Sequence, residues 1–257
     1  ARVLLQFSLG IGQTQLIATE AEPASDTEIE AYETLVSRRL GREPVARIVE
    51  QQEFYGLEFG LNAATLIPRP ETEMLVDFGI GHLKGRNDAA ILDLGTGTGC
   101  IALSLLANLP GANGIGVDLS PEALGQAREN AVALGLAGRF EPVAGSWFTP
   151  VAGRRFDLIV SNPPYIASNV IAGLAPEVAQ YDPTLALDGG PDGLGPYRII
   201  AAGAANHLVP GGALAVEIGF DQGPAVAHLI ESAGLSGVGV EKDLSGHDRM
   251  VVAVSPD

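Results

Sequence analysis

Ser161-Asn162-Pro163-Pro164-Tyr165 puts side by side the residue types that can grip a planar –NH2 group. The side-chain oxygen of Asn162 can accept one N–H, and the Pro163 carbonyl can accept the other. Pro163 and Pro164 have no backbone N–H to compete for those acceptors, and Tyr165 can flank the plane. The lone pair of such a nitrogen is delocalised, which makes it a poor nucleophile. Acceptors that hold it in line with a methyl group and stabilise the positive charge growing on it would support methyl transfer to an amide or exocyclic amine nitrogen. Asn-Pro-Pro also makes ordinary turns, so its position in the fold decides between the two readings.

Asp93-Leu94-Gly95-Thr96-Gly97-Thr98-Gly99 is the second chemically suggestive cluster. Glycines let a backbone turn tightly and approach a ligand closely. A simple strand-to-helix turn uses them too, but Asp118 ends the next expected strand, where a carboxylate can accept hydrogen bonds from both hydroxyls of a ribose. A nucleoside-bearing ligand follows, either NAD or S-adenosylmethionine. The G-x-G-x-G spacing departs from the dinucleotide fingerprint G-x-G-x-x-G. Asp93 beside the loop suits a sulfonium and an ammonium group, so S-adenosylmethionine is favoured. Trp147, after the third expected strand, is either buried bulk or a π-face against adenine.

Alternating strands and helices must position these clusters. Short apolar strands are expected at Ala90 to Leu94, Gly114 to Val117, Phe140 to Val143, Phe156 to Val160, Ala213 to Ile218, Gly237 to Lys242 and Arg249 to Val254. Helices are expected after the glycine loop, over Pro121 to Leu134, Leu194 to Leu208 and Gly223 to Ala233. This is an α/β pattern with seven strands, mostly parallel and covered on both faces. No helix separates the last two strands, so they should pair antiparallel. The fourth strand should lie next to the first, which brings Asn162 beside the glycine loop. Upstream, residues 1 to about 50 read as helical. Val3, Leu4 and Phe7 form one stripe, and Ile29, Tyr32, Leu35, Val36 and Leu40 form another; Ser25 or Asp26 caps the second helix and Gly41 ends it. Phe54 to Leu66 suggests a short hairpin, and Pro70 suits the first turn of a helix near Glu71. The expected division is a helical region over residues 1–52, a hairpin and linker over 53–73, and a catalytic domain over 74–257.

Composition narrows the function classes. The 257 residues are 46% hydrophobic and 18% charged, which excludes wholesale disorder, and 33 glycines agree with a loop-rich α/β chain. The net charge is −16, and neither end of the chain is basic. A duplex-binding protein usually shows a basic footprint, so no direct nucleic-acid partner is expected. No apolar run has the length of a membrane helix, and no secretory pattern opens the chain. A cytoplasmic protein is expected, and the first residue, Ala1, suggests a natural start further upstream. His82, His207, His228 and His247 lack metal-ligand spacing, so no metal site is expected. Cys100 reads as a packed side chain, and Arg69 either contacts substrate or pairs with an acid.

The glycine loop resembles the first motif of Rossmann-like class I methyltransferases. Asn162 to Tyr165 resembles the motif of amino-group methyltransferases, adenine-N6 enzymes acting on DNA included. Further segments narrow the likeness: Phe54 to Leu57, Leu66 to Glu73, Pro183 to Gly190, Asp192 to Leu194 and Asp248 to Val252 are similar to the HemK/PrmC family of peptide chain release factor glutamine methyltransferases. The resemblance spans nearly the whole chain. It implies methylation of the side-chain amide (N5) of the glutamine in the Gly-Gly-Gln motif of release factors, with S-adenosyl-L-methionine converted to S-adenosyl-L-homocysteine. Carried over by position, cofactor contacts fall on Gly95, Thr96, Gly97, Thr98, Gly99, Asp118, Trp147 and Asn162, and substrate contacts on Asn162, Pro163, Pro164 and Tyr165. Asn162, Pro163 and Tyr165 take the catalytic role. The alternatives are a glutamine of a large-subunit ribosomal protein, against which the Arg69 to Glu73 linker counts, and adenine in DNA.

Overall fold

The computed structural model describes residues 1–18 and 22–256. Four helices open the chain: α1 (Arg2–Leu9), α2 (Gln13–Ala18), α3 (Asp26–Leu40) and α4 (Val45–Val49). Ser25 starts α3 with a reciprocal capping box: its hydroxyl accepts from the Glu28 amide, and its own amide donates to the Glu28 carboxylate at 2.7 Å. Gly41 ends α3 with an ordinary φ of −72°, and Arg42 takes the left-handed conformation instead. The expected stripe of α3 packs less deeply than its spacing suggested. Tyr32, Leu35 and Val36 are half-buried, but Ile29 and Leu40 remain exposed, because among the described elements α3 lies chiefly against the short α1 and α4.

Next come β1 (Gln51–Phe54) and β2 (Leu57–Gly60), an antiparallel hairpin. Tyr55 and Gly56 form its turn with φ values of 54° and 74°, the mirror-image geometry that matches strand twist. The hairpin is shifted from the expected Phe54 to Leu66. Gln51, Gln52 and Glu53 carry no apolar alternation, and residues 61–69 are irregular linker. The boundary expected at residue 52 therefore falls inside β1. Pro70–Thr72 forms one 3₁₀ turn leading into α5 (Glu73–His82).

The rest alternates as expected: β3 (Ala90–Leu94), α6 (Cys100–Asn108), β4 (Asn113–Asp118), α7 (Pro121–Ala133), β5 (Phe140–Ala144) and β6 (Phe156–Ser161). There follow α8 (Pro176–Ala179), α9 (Gly195–His207), β7 (Leu208–Glu217), α10 (Gly223–Ser232), β8 (Ser236–Lys242) and β9 (Asp248–Val254). The seven-stranded sheet runs β5-β4-β3-β6-β7-β9-β8, and β9 lies antiparallel between β7 and β8. Both faces are covered. Ile91, Leu158, Val160 and Ala215 pack against α5 and α6, while Leu92, Ile159, Leu214 and Val216 pack against α9 and α10. The chain winds outward from β3 in one direction and returns to β6 to wind in the other. The crevice at the carboxyl ends of β3 and β6 is thus the switch point where open α/β sheets bind ligands.

Candidate active site

At the end of β3 the amides of Gly95 and Thr96 both donate to the Val117 carbonyl, at 2.8 and 3.0 Å. Gly95 and Gly97 have φ values of 72° and 54°, in the left-handed region that side chains disfavour. A Cβ at either position would meet no protein atom and would project into open space. The backbone therefore forms a cradle that any side chain would fill. Asp118 closes it: one carboxylate oxygen accepts from Gly97 N–H and the other from Ser120 N–H, each at 2.9 Å. Each oxygen retains acceptor capacity for a ligand hydroxyl. Trp147, half-buried with a φ of 49°, lines the same crevice. A bulky residue is costly to hold in that conformation, which fits a position fixed by its role at a site. The cavity measures 390 Å³, within the usual range for a small-molecule site, and Thr96, Thr98 and Asn162 also line it.

Asp93 departs from expectation. Its carboxylate is fully buried behind the loop and accepts from the Thr96 hydroxyl at 2.7 Å, with burial pushing its pKa up to about 7. It braces the loop rather than facing a cation. Cys100 is buried at the start of α6, and desolvation pushes its thiol up to about 12, so it supplies no thiolate.

Across the crevice, the Ser161 hydroxyl donates to the Leu94 carbonyl at 2.7 Å and ties the tip of β6 to β3. Asn162 follows directly. Its Nδ2 donates to Thr72 Oγ1 at 3.1 Å, Thr72 Oγ1 donates to Glu217 Oε2 at 2.5 Å, and the Tyr165 phenol approaches Glu217 Oε1 at 3.4 Å. Asn162 and Pro164 stand on the cavity wall. Pro163 is buried beneath them, and Tyr165 turns its hydroxyl to Glu217 instead of standing on the wall, because a phenol taken into the interior needs a partner. Burial and the Glu217 charge both push the Tyr165 phenol upward, which keeps it protonated.

The segment after Tyr165 supplies a wall that sequence reasoning did not place in the site. The Ile166 amide donates to the Leu187 carbonyl and the Gly189 amide donates to the Ile166 carbonyl, which brings Asp188, Gly189 and Gly190 to the cavity. A Cβ on Gly189 would sit 2.8 Å from the Pro164 carbonyl, and one on Gly193 would collide with the Tyr165 carbonyl. Gln222 Nε2 donates to that same Tyr165 carbonyl at 3.0 Å. The paired glycines at 189 and 190 were the available signal. Thr72 and Glu217 gave none, since nothing in the sequence links them to Asn162. Of its two expected readings, Arg69 takes the pairing with an acid: it donates to Asp182 at 2.8 Å, from a position on the cavity wall.

Residues 72–177 match the family model described as Methyltransferase small domain, and residues 1–49 match that described as PrmC N-terminal domain. The release factor glutamine methyltransferase of Rhodospirillum rubrum is 49% identical over 253 residues, covering 98% of this chain and 77% of that protein. The protein of the same name from Cereibacter sphaeroides is 48% identical over 256 residues, covering 100% and 90% respectively. A solved methyltransferase from Pyrococcus furiosus shares the fold, with a TM-score of 0.59 and 19% identity over 86% of this chain and 98% of that one.

Proposed function

The chain belongs to the release factor glutamine methyltransferase family, and we propose that it methylates the side-chain amide nitrogen of the glutamine in the Gly-Gly-Gln motif of peptide chain release factors, with S-adenosyl-L-methionine as donor. One observation carries this reading. The amide nitrogen of Asn162 is committed to Thr72, which leaves Oδ1 as an acceptor at a crevice that also contains the glycine cradle.

The residues present fit that donor. Gly95 and Gly97 leave open the space that a Cβ would take, Asp118 has acceptor capacity for ribose hydroxyls, and Trp147 offers a flat apolar face. When bound, the donor supplies an electrophilic methyl group on a sulfonium. The chain supplies placement. Asn162 Oδ1 and the Pro163 carbonyl accept the two N–H groups of the carboxamide, orient its nitrogen and stabilise the charge that develops there. The nitrogen becomes strongly acidic once methylated, so its surplus proton can leave to water without a dedicated base.

The helical region before β1 then docks the body of the release factor, the hairpin and linker up to residue 73 connect it, and 74–257 carry out the transfer. Val3, Phe7 and Ile17 on the helical region are about half exposed, as a docking face requires. Among the described residues no helix is long and apolar enough to cross a membrane, and a substrate that belongs to the translation machinery places the enzyme in the cytoplasm.

The decisive experiment incubates the protein with methyl-labelled S-adenosyl-L-methionine and, separately, a release factor, large-subunit ribosomal proteins and DNA. Label is expected in the release factor and is expected to vanish when its Gly-Gly-Gln glutamine is changed to alanine. Label confined to ribosomal protein or to DNA would overturn the assignment. A second expectation concerns the cofactor. Asp118→Ala should weaken S-adenosyl-L-methionine binding by roughly 10- to 100-fold in titration calorimetry, the cost of losing hydrogen bonds to a charged acceptor. A change below about threefold would remove Asp118 from the ribose site.

A further inference from the structure

We propose that Thr72 and Glu217 are positioning residues that set the direction of the Asn162 side-chain amide, and so decide whether the site presents an acceptor or a donor to the substrate nitrogen. The proposal deepens the function proposed above and rests on Asn162 being the acceptor for the substrate –NH2.

Three distant segments meet to build the relay. Ser161 pairs with Val216 in the parallel register of β6 and β7, so Asn162 and Glu217 are the next residues along at the same edge of the sheet. Thr72 arrives from the turn before α5, where its amide donates to the Arg69 carbonyl at 3.1 Å and Pro70 stiffens the backbone. Thr72 and Glu217 are only 2% and 3% exposed, so water does not replace either partner.

The sense of the amide follows from donors and acceptors alone. An ionised carboxylate only accepts, so the Thr72 hydroxyl must spend its single proton on Glu217. The Thr72 oxygen can then only accept, and the –NH2 is the only part of the Asn162 side chain able to donate to it. The amide is thereby locked with Oδ1 turned away from Thr72. Reversal would present two N–H donors to the two N–H donors of the substrate, an arrangement that binds neither the carboxamide nor the charge growing on it.

Protonation of Glu217 removes the lock. A neutral carboxyl can donate to Thr72, which frees the Thr72 hydroxyl to donate to Asn162 Oδ1 and admits the reversed amide. Burial is the largest influence on Glu217 and pushes its pKa up to about 7, against the Thr72 hydrogen bond. The groups facing it are Glu71 and Thr72 from the turn before α5, Cys100 from α6, Tyr165 from the loop after β6, Tyr197 from α9 and Arg249 from β9. Arg249 favours the ionised form, while Glu71 opposes it. Since the ionised form is the competent one, kcat should rise with pH through the neutral range.

The test combines kinetics with a spectroscopic readout. In Thr72→Val, which keeps the shape and loses the hydroxyl, kcat for release-factor methylation is expected to fall about 30-fold, with KM for the release factor and Kd for the cofactor changing less than about threefold. Thr72→Ser should restore kcat to within about threefold of the parent. Glu217→Gln removes the titrating group and, like a neutral carboxyl, can donate as well as accept, so the acid limb of kcat should flatten over about pH 6 to 8 on a plateau below that of the parent. A Thr72→Val enzyme within about twofold of the parent, or an acid limb retained in Glu217→Gln, overturns the relay. In ¹⁵N-labelled protein the side-chain amide of Asn162 should titrate with a midpoint near 7 and lose that titration in Glu217→Gln and Thr72→Val. No such titration overturns the relay even where no substrate is methylated, whereas failure of the unaltered protein to label any release factor sinks the proposed function alone.

Discussion

Asn162→Ala is expected to lower kcat for release-factor methylation by at least about 10³-fold, while Kd for S-adenosyl-L-methionine rises less than about tenfold. The asymmetry follows from position. The cradle of Gly95 and Gly97 and the Asp118 carboxylate stand on β3 and β4, and none of their hydrogen bonds involves Asn162. Asn162 stands at the tip of β6, with Nδ2 on Thr72 and Oδ1 left as acceptor. On the function proposed above, alanine removes that acceptor and would leave the carboxamide held by the Pro163 carbonyl alone, free to rotate out of line with the methyl group. A single misdirected or missing polar group in a preorganised site costs about 10²–10³ in kcat, and lost alignment adds to that. Single-turnover labelling with saturating cofactor separates the two effects. Near-normal methylation by this variant would remove Asn162 from the reaction.

Asp182→Ala is the second large effect, on stability: a loss of about 3 kcal/mol, read as a lower urea midpoint with an unchanged slope. The Asp182 side chain is fully buried and receives two guanidinium groups, Arg47 at 2.9 Å and Arg69 at 2.8 Å. Arg47 is itself buried, and its two terminal nitrogens also donate to the Asn62 and Thr65 carbonyls, while its Nε has no partner among the described residues. Alanine strands the Arg47 charge in the interior, and breaking a buried pair from one side is costlier than the pair itself is worth. Arg47 belongs to α4 and Asp182 to the loop beyond α8, so the same bond clamps the helical region onto the catalytic domain. Arg69 also loses its anchor at the cavity, so activity per folded molecule should fall too. Asp182→Asn keeps two acceptor lone pairs without the charge and should lose less. An Asp182→Ala midpoint equal to that of the parent would show that the clamp adds nothing.

Much of the fold was legible because local rules act on consecutive residues. Apolar runs marked β3, β4 and β6, Ser25 or Asp26 marked the start of α3, and the missing helix between β8 and β9 marked an antiparallel pair. The hairpin was misplaced because Gln51, Gln52 and Glu53 form a strand with no apolar signature, its pairing with β2 supplying what the side chains do not. The α3 stripe was legible as a helix but not as a core, since burial depends on how much partner surface lies opposite. Asp93 was misjudged for a related reason: adjacency to the loop in sequence does not say which side of the sheet a carboxylate faces, and this one braces Thr96 from within.

The sequence by itself determined the order of elements, the glycine cradle and the tetrad from Asn162 to Tyr165, since periodicity, turn chemistry and hydrogen-bonding capacity belong to short stretches of chain. Tertiary structure alone decided which way the Asn162 amide faces. Thr72 and Glu217 are 145 residues apart, and Arg47 and Asp182 are 135 apart. Such pairs exist because the tertiary fold carries distant segments together, where a buried donor must find an acceptor or the fold loses stability.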